Sequence, residues 1–459
     1  PARVAEFRVL SDGTEIELTA AAYAYERSPL MERVTKTVTA AGSGQEQTSV
    51  EETYGEAAAY PYAAGQTKFT RDIAGVETFY DYEAAVEHGA AHKKTAVTKV
   101  GGELAAGQSR KTESFLAANG TVLVEQESVW DGDNWLPLSS GAHEYDEEGR
   151  RTKTTRGNGR VTSTSWMCCG KLSETDEDGI LTSYGYNSAH QLVETIRSEI
   201  SDGDTVVTPE TITTYTRDAA GRVLQTRRDR GAMTTTESVE YDRLGRIVRQ
   251  TDVLGRVTAT AYSENGLTET VTTPAGATLV TERHPDGSVL HEYGTGQRER
   301  CHVYDIDHNC LRETVTLADQ TTILSRTLVN GFGQSVVQVT PATAGFLYDR
   351  SEYNAQGRLI RTWRDAGTQE GAVAMAPTLY EYDAFGNRTK ETWKLADPAT
   401  VSNSRITAWS YGTEQSEDGV YQVVTATRNN GRGTTCDETQ KTLVSSLSST
   451  LESKTVFIG

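Results

Sequence analysis

The stretch YDRLGRIVRQTDVLGRVTATAY, residues 241–262, contains one short phrase written twice. An Asp side chain accepts hydrogen bonds from the backbone two residues on, and a Gly supplies the positive φ that tight turns need. Between the two turns, residue types that suit a pleated surface alternate at period two. We therefore predict strand, turn, strand, turn, strand. The residues that carry this pattern are Tyr241, Asp242 and Gly245, then Asp252 and Gly255, and finally Tyr262.

The phrase recurs along the chain, with an offset Gly turn between successive copies at 157–166, 176–186 and 253–262. Each copy predicts one more β-hairpin of a continuous meander. In a degenerate copy at 284–288, His284 is interpreted as standing in the Tyr position. The other members of the pattern are Tyr145, Asp146, Gly149, Asp218, Gly221, Tyr304, Asp305, Tyr353, Gly357, Tyr382, Asp383 and Gly386.

These hairpins predict an all-β fold, in which continuous antiparallel hairpin repeats spiral into a hollow shell or barrel. Open twisted sheets curl or split beyond about ten strands, so a ribbon of this length must coil. A propeller is the rival, but its inner and outer hairpins should differ, whereas Tyr241 and Tyr262 head consecutive hairpins with similar anchors. We expect degenerate repeats over 1–140, clear repeats over 141–395 and degenerate repeats over 396–459, without a separate N-terminal domain. Two segments, 82–94 and 442–453, are open to two interpretations, a short helix or strand plus loop.

Composition excludes several classes of partner. The chain has 459 residues and a formal net charge of −19, with no dense run of Lys or Arg, so we expect no nucleic acid. No apolar run approaches the roughly 20 residues that span a bilayer. The first residue is Pro and no leader precedes it, which favours a piece of a longer chain.

Five cysteines give an odd number, and their spacing matches neither a disulfide framework nor paired C-x-x-C zinc ligands. Adjacent Cys168 and Cys169 are open to a vicinal disulfide or redox role, but two buried thiols acting as small hydrophobes are favoured. Cys301, His302, His308 and Cys310 are possible metal ligands, although alternation sends the first two to opposite faces of a strand.

No sequence pattern indicates catalysis. There is no Gly-x-Ser-x-Gly nucleophile motif, and the acidic stretches 130–135, 175–179 and 201–205 lack the ligand series of a calcium loop, so turn chemistry explains them better. We expect no catalytic, cofactor-binding or metal-binding residue, and therefore no enzyme and no cofactor.

The phrases at 145–150 and 241–246, repeated in register and interleaved with Gly-Arg-x-Thr, resemble the YD repeats of the RHS family. That family includes bacterial Rhs polymorphic toxins, shell components of insecticidal toxin complexes and animal teneurins. The resemblance implies a hairpin sheet that spirals into a hollow shell. In bacterial members the shell encloses a C-terminal toxic or effector domain, and in animal members it serves adhesion. The Asp-Pro-x-Gly motif of the bacterial plug is absent from this sequence.

We expect a structural segment of such a shell in a large bacterial protein, secreted or displayed at the cell surface. Its partner would be its own C-terminal effector, which lies outside this chain. The alternative is an adhesive or carbohydrate-binding module on the same sheet, with surface glycans or proteins as partners. The aromatic residues that would then stack on sugars are Trp130, Trp135, Trp166, Trp363, Trp393 and Trp409.

Overall fold

The computed structural model describes residues 3–9, 15–40, 46–306, 312–318, 322–343, 345–366, 373–374, 376–394, 404–416, 419–429, 435–443 and 453–458. Its strands are β1 (Arg3–Val9), β2 (Glu15–Arg27), β3 (Met31–Ala40), β4 (Glu46–Tyr54), β5 (Thr67–Arg71), β6 (Val76–Ala84), β7 (His92–Val100), β8 (Arg110–Leu116), β9 (Val122–Trp130), β10 (Trp135–Tyr145), β11 (Arg151–Arg156), β12 (Val161–Met167), β13 (Gly170–Thr175), β14 (Leu181–Tyr186), β15 (Leu192–Arg197), β16 (Ile200–Asp202), β17 (Thr205–Thr208), β18 (Thr211–Arg217), β19 (Val223–Arg230), β20 (Met233–Tyr241), β21 (Ile247–Thr251), β22 (Val257–Tyr262), β23 (Thr268–Thr272), β24 (Thr278–Arg283), β25 (Val289–Tyr293), β26 (Arg300–Ile306), β27 (Arg312–Ala318), β28 (Thr322–Val329), β29 (Ser335–Ala342), β30 (Gly345–Tyr353), β31 (Leu359–Ala366), β32 (Val373–Ala374), β33 (Thr378–Tyr382), β34 (Arg388–Lys394), β35 (Ser404–Ser416), β36 (Gly419–Asn429), β37 (Thr435–Leu443) and β38 (Ser453–Ile458).

The possible helix at 82–94 is a strand end, one 3₁₀ turn at Glu87–Gly89 and the start of β7. A second 3₁₀ turn spans Pro61–Ala63. Most of the other possible helix, 442–453, lies outside the described residues. In the part of the chain that the structure describes, no helix is long and apolar enough to cross a membrane.

Apart from the short strands β16, β17 and β32, each strand pairs antiparallel with its neighbours along the chain, so the fold is one continuous meander. The pairings join 36 of the described strands into a single sheet, while β16 and β17 form a separate small hairpin. The meander passes this insertion because β15 pairs directly with β18. The pairings also link the three expected repeat regions, since β10 pairs with β11 and β34 with β35. The predicted all-β hairpin fold is therefore confirmed.

In a meander, successive turns lie on alternate edges of the sheet. One edge, here called the YD rim, carries the turns at 145–150, 217–222, 241–246, 353–358 and 382–387. The opposite rim carries the turns between them, including those at 71–76, 156–160 and 251–256. The repeated phrase of the opening stretch thus makes one turn on each rim.

The sheet returns alongside itself. On the YD rim of the late strands, Arg358 and Asn387 donate hydrogen bonds to Ala74 and Gln108 of the early strands' opposite rim. The paired residues are 284 and 279 positions apart in sequence. Because the offset is nearly constant, the late strands follow the early strands in the same direction, as consecutive coils of a spiral do. We call this contact line the seam.

The described pairings do not close the sheet into a hydrogen-bonded barrel. Within those residues β1 pairs only with β2, and β38 pairs only with β37. The early and late coils therefore meet through turns and side chains of their rims. The predicted spiral is confirmed, whereas closure of the strand ladder is not a feature of the described sheet.

The apolar core is small and lies partly in the seam. Val129, Leu136 and Leu138 of the early coil form one buried cluster with Val420 of the late coil. All four are at most 9% exposed. Burying a Val or Leu side chain contributes about 1.5–3 kcal/mol, so this cluster favours the coiled arrangement over an open ribbon.

Candidate functional site

The Asp and Gly of the phrase build each YD turn, as Asp242 to Arg246 show. The Gly245 amide donates to the Asp242 carbonyl at 3.1 Å, which closes the turn. Asp242 Oδ1 accepts hydrogen bonds of 2.9 Å from the amides of Leu244 and Arg246. Gly245 has a φ of 83°, in the left-handed region that a Cβ disfavours. With the register shift beside it, the unit is a type I turn followed by a Gly bulge.

The Arg of the phrase connects one repeat to the next. Arg246 Nε donates to Asp242 Oδ2 at 2.7 Å, and its guanidinium carbon lies 4.1 Å from the centre of the Tyr262 ring. In the preceding repeat, Arg222 lies 4.8 Å from the Tyr241 ring in the same way. An exposed ion pair contributes little by itself, but here it orients the guanidinium over the next aromatic ring. The Arg is thus a contact between repeats.

The Tyr of the phrase is attached to the preceding repeat at both ends of its side chain. Tyr241 Oη donates to the Val223 carbonyl at 3.2 Å, where β19 leaves the previous YD turn, while Arg222 covers its ring. A hydrogen bond of this kind contributes about 0.5–1.5 kcal/mol, and an exposed cation–π contact about 0.5–1 kcal/mol. We call this pair of contacts the tyrosine tie.

The hydroxyl half of the tie recurs along the described chain. It joins Tyr145 to Val122, Tyr186 to Lys171, Tyr304 to Val289, Tyr353 to Ser335, Tyr382 to Leu359 and Tyr411 to Arg388, at 2.7–3.1 Å. The Tyr411 tie lies beyond residue 395, where the phrase is degenerate in sequence. Sequence reasoning missed it because the tie needs only the Tyr and a neighbouring strand, without the Asp and Gly.

The remaining phrase residues fall into the same roles. The carboxylates of Asp146, Asp218 and Asp383 accept backbone amides of their own turns at 2.8–3.0 Å. The glycines have positive φ angles of 77–92°: they are Gly149, Gly221, Gly357 and Gly386. Sequence position alone therefore identified the turn-forming residues of these copies.

Three copies depart from the expected roles. Asp252 and Gly255 form the same turn, but on the opposite rim. Asp305 lies inside β26, opposite Glu313. The expectation that His284 takes the Tyr position is wrong, because its carbonyl accepts the Gly287 amide and it therefore occupies the Asp position.

The turns hold their Asp side chains as carboxylates. At Asp252, hydrogen bonds from the backbone amide and the guanidinium of Arg256 lower the pKa below its ordinary value. At Asp242, partial burial raises the pKa, but hydrogen bonds from the Arg246 amide and guanidinium outweigh it, and the net pKa is lowered. The pKa values of Asp146 and Asp218 are lowered in the same way.

The seam reuses these rim residues. Arg358 Nη1 donates to the Asp383 carbonyl of the next YD turn at 2.9 Å, while its Nη2 donates across the seam to the Ala74 carbonyl at 3.2 Å. Asn387, in the Arg position of its phrase, donates to Gln108 Oε1 at 2.9 Å. The same sequence position therefore joins either successive repeats or successive coils.

Glycines allow the two coils to approach closely. A Cβ added at Gly331 would lie 2.5 Å from the Ala40 Cβ, and one at Gly107 would lie 2.8 Å from the Gly412 Cα. Both separations are too short for real atoms, so a larger residue at either position would push the coils apart. Ala40 itself is 1% exposed.

The cysteine pair is placed differently from the expectation. Cys168 and Cys169 are exposed and form the two-residue turn between β12 and β13, so the expectation of buried thiols is wrong. Their Sγ atoms lie 2.6 Å apart, and the hydrogen bond with Cys168 raises the pKa of the Cys169 thiol. The structure also brings His190 to them, with the three potential ligand atoms within 4.8 Å of one another.

A second cluster involves one of the other predicted metal ligands. Cys301 lies with His291 and Glu299, again within 4.8 Å, and His291 Nε2 contacts Glu299 Oε1 at 3.0 Å. His302 instead contacts Glu292 at 3.1 Å. Strand alternation thus separates Cys301 from His302, as expected. His308 and Cys310 lie outside the described residues.

The acidic stretches are used in turns where the structure shows their contacts. Asp131 Oδ1 accepts the amides of Asp133 and Asn134 at 2.8 and 2.6 Å, which lowers the pKa of Asp131. Asp176 Oδ1 accepts the Ile180 amide at 2.9 Å. These carboxylates therefore stabilise backbone turns.

Lys and Arg side chains lie over four of the six tryptophan rings. Trp393 is 48% exposed, whereas the other five tryptophans are half-buried. Ring faces are approached by Lys111 over Trp135, Arg150 over Trp166, Arg361 over Trp363 and Arg405 over Trp393, at 4.5–5.7 Å. A sugar that stacked on these faces would have to displace a protein cation.

Comparison with known proteins finds the repeats in two family models. Residues 170–371 match the teneurin YD-shell family, and residues 353–392 match the RHS repeat. A sequence search of curated proteins gave no significant match.

Among solved structures, the chain is similar to the crystal structure of TcdB2-TccC3 without its hypervariable C-terminal region, at 11% identity and a TM-score of 0.37 over 93% of this chain. TcdB2-TccC3-TEV gives 12% and 0.36 over 96%, and the Photorhabdus luminescens Tc holotoxin pore gives 10% and 0.28 over 94%. The chain spans 32% of the length of each of these structures.

Proposed function

Because residues 170–371 match the teneurin YD-shell model and residues 353–392 match the RHS repeat, we propose that this chain is a structural wall segment of a spiralling β-shell. The seam carries this proposal. A sheet whose coils stack rim to rim curves around an interior and is not a flat sheet. The hydrogen bonds of Arg358 and Asn387 to the earlier coil define that stacking.

A cross-link across the seam tests the stacking in solution. In a variant with all five cysteines replaced by Ser, Gln108→Cys and Asn387→Cys would be joined by a short bis-maleimide, since the native side chains touch at 2.9 Å. The control pairs Gln108→Cys with Gln191→Cys. Gln191 takes the position of Asn387 in its own YD turn, but its amide contacts Asn187 and its side chain lies beside Gly221. We expect rapid intramolecular cross-linking of the first pair alone. Equal rates for both pairs would refute the seam.

We further propose that the wall encloses or displays a C-terminal effector that lies outside this chain, in a secreted or surface protein. The repeat family supports this proposal, as does a sheet whose rims are occupied by contacts between repeats and coils. In the full-length polypeptide, limited proteolysis should spare the downstream region until the seam is weakened by Gly331→Leu. Cleavage at the same rate in both proteins would contradict enclosure.

The proposal includes no catalytic centre in this wall. The adhesive or carbohydrate-binding alternative also remains a prediction, and the cations over the tryptophan rings give it no specific support. Glycan arrays would distinguish the structural wall from the carbohydrate-binding alternative. Binding that is lost on Trp393→Ala but kept on Leu254→Ala, which changes another exposed side chain, would favour adhesion.

A further inference from the structure

The first observation concerns the tip between β12 and β13. Met167 pairs with Gly170, so Cys168 and Cys169 are the two residues of a tight turn, and both are exposed. The tip is fixed against the next YD turn, because the Tyr186 hydroxyl donates to the Lys171 carbonyl at 3.0 Å. A Cβ on Gly170 would lie 2.5 Å from that hydroxyl oxygen. Two thiols are thus held at a defined place beside residues 186–191.

The second observation is the residue that faces them. His190 takes the position that Gly245 holds in the equivalent turn: its amide donates to the Asn187 carbonyl at 2.9 Å. Its φ is 59°, and within the described residues only His88 is another non-glycine with positive φ. A Cβ in this left-handed region lies too close to the following carbonyl oxygen, so a non-glycine residue here destabilises the backbone. The turn therefore keeps an imidazole where the repeat elsewhere uses Gly, although this destabilises the backbone.

The third observation is that these features meet. The Cys168 and Cys169 sulfurs and a ring nitrogen of His190 all lie within 4.8 Å of one another, and all three side chains are exposed. Thiolate and imidazole are the ligands that Zn²⁺ and other thiophilic cations prefer, at about 2.3 Å for sulfur and 2.0–2.1 Å for nitrogen. In the other cluster, His291 already contacts the carboxylates of Glu299 and Glu282, and these contacts account for its position.

We propose that Cys168, Cys169 and His190 form a binding site for a thiophilic metal cation, with Zn²⁺ as the reference ion. Each thiol releases its proton to solvent as it binds, no electron is transferred, and a water completes a tetrahedral set. The sulfurs move apart from their present 2.6 Å by side-chain rotation at the exposed tip. This proposal differs from the expectation from sequence that no residue binds a metal.

A competition titration tests the site. Reduced, metal-free protein with all thiols confirmed free would be titrated anaerobically with Zn²⁺ against a chromophoric chelator, and with Co²⁺ for thiolate-to-cobalt charge-transfer absorption. We expect one ion per chain, and loss of binding and of the absorption band in Cys168→Ser/Cys169→Ser. Cys301→Ser, the control for the other cluster, should bind as the unchanged protein does.

His190→Gly separates a ligand from a merely structural residue. It restores the common turn residue, so thermal unfolding should shift to higher temperature while Zn²⁺ affinity falls by at least about tenfold. No bound ion in the unchanged protein, unchanged affinity in His190→Gly, unchanged binding without Cys168 and Cys169, or loss of binding in Cys301→Ser would each overturn the proposal.

Discussion

Alanine at two glycines of the same phrase should cost different amounts of stability. Gly245 and Gly255 have φ angles of 83° and 77°, so an Ala at either position is strained by about 1–2 kcal/mol. The space around them differs: a Cβ at Gly245 would lie 3.2 Å from Arg222 Nη1, whereas nothing lies within 4 Å at Gly255. Gly245→Ala should therefore also displace Arg222 from the Tyr241 ring, which costs about 0.5–1 kcal/mol more.

Hydrogen exchange gives the local measurement, because repeat arrays unfold in sections and a single midpoint averages over them. The exchange rates of the Arg246 and Arg256 amides, which the two Asp side chains accept, should report each turn separately. The lower unfolded-state entropy of Ala is common to both variants and cancels in their difference. Leu244→Ala is the control, since Leu244 is 78% exposed, and should stay within about 0.5 kcal/mol.

The outcomes distinguish backbone strain at positive φ from the displacement of Arg222. Equal costs at Gly245 and Gly255 would show that Arg222 is not held at the next turn, and would remove the guanidinium from the tyrosine tie. Negligible costs at both positions would mean that positive φ is not the reason for the repeated Gly.

Three further outcomes are expected. Tyr382→Phe should lower the free energy of local unfolding by about 1 kcal/mol through loss of the bond to the Leu359 carbonyl, and Tyr25→Phe, an exposed tyrosine, should not. Because the folded pKa of Asp252 is lowered, its stabilisation is complete above the unfolded value near 3.9 and is lost as pH falls through the folded pKa; acid titration of Asp252→Asn should show a smaller loss. Purified protein should show no turnover on glycan, ester or peptide panels, and an activity abolished by one carboxylate substitution would contradict the proposed wall.

Local chemistry explains which parts of the fold could be predicted. The turn of Asp242 and Gly245 could be predicted because a few residues encode its Asp cap, its Gly of positive φ and the alternating strands beside it. The Arg of the phrase gave no such signal, because its partner aromatic belongs to the next repeat. The seam was also invisible, since Gln108 and Asn387 are 279 positions apart and share no motif.

The cysteine cluster shows a different reason for error. Cysteine is usually buried, which favours buried thiols, but Cys168 and Cys169 form a turn, and a turn exposes what a half-buried strand would cover. His190 belongs to the next YD turn along the rim, so a search for C-x-x-C spacing could not find it. Aligning the repeats with one another would have shown a His where other copies have Gly, which was the available signal.

The contacts across the seam follow the same order along both coils, so the two coils are held in register. Two late YD turns each meet a particular early turn, Arg358 at Ala74 and Asn387 at Gln108, so the number of hairpins between the contacting turns sets the circumference of a coil. Removing one hairpin between the contacting turns would therefore move every later seam contact to a neighbouring turn of the early coil. Hairpins added after the last seam contact would leave these contacts in place, whereas a hairpin added within a coil would require new partners along the whole seam.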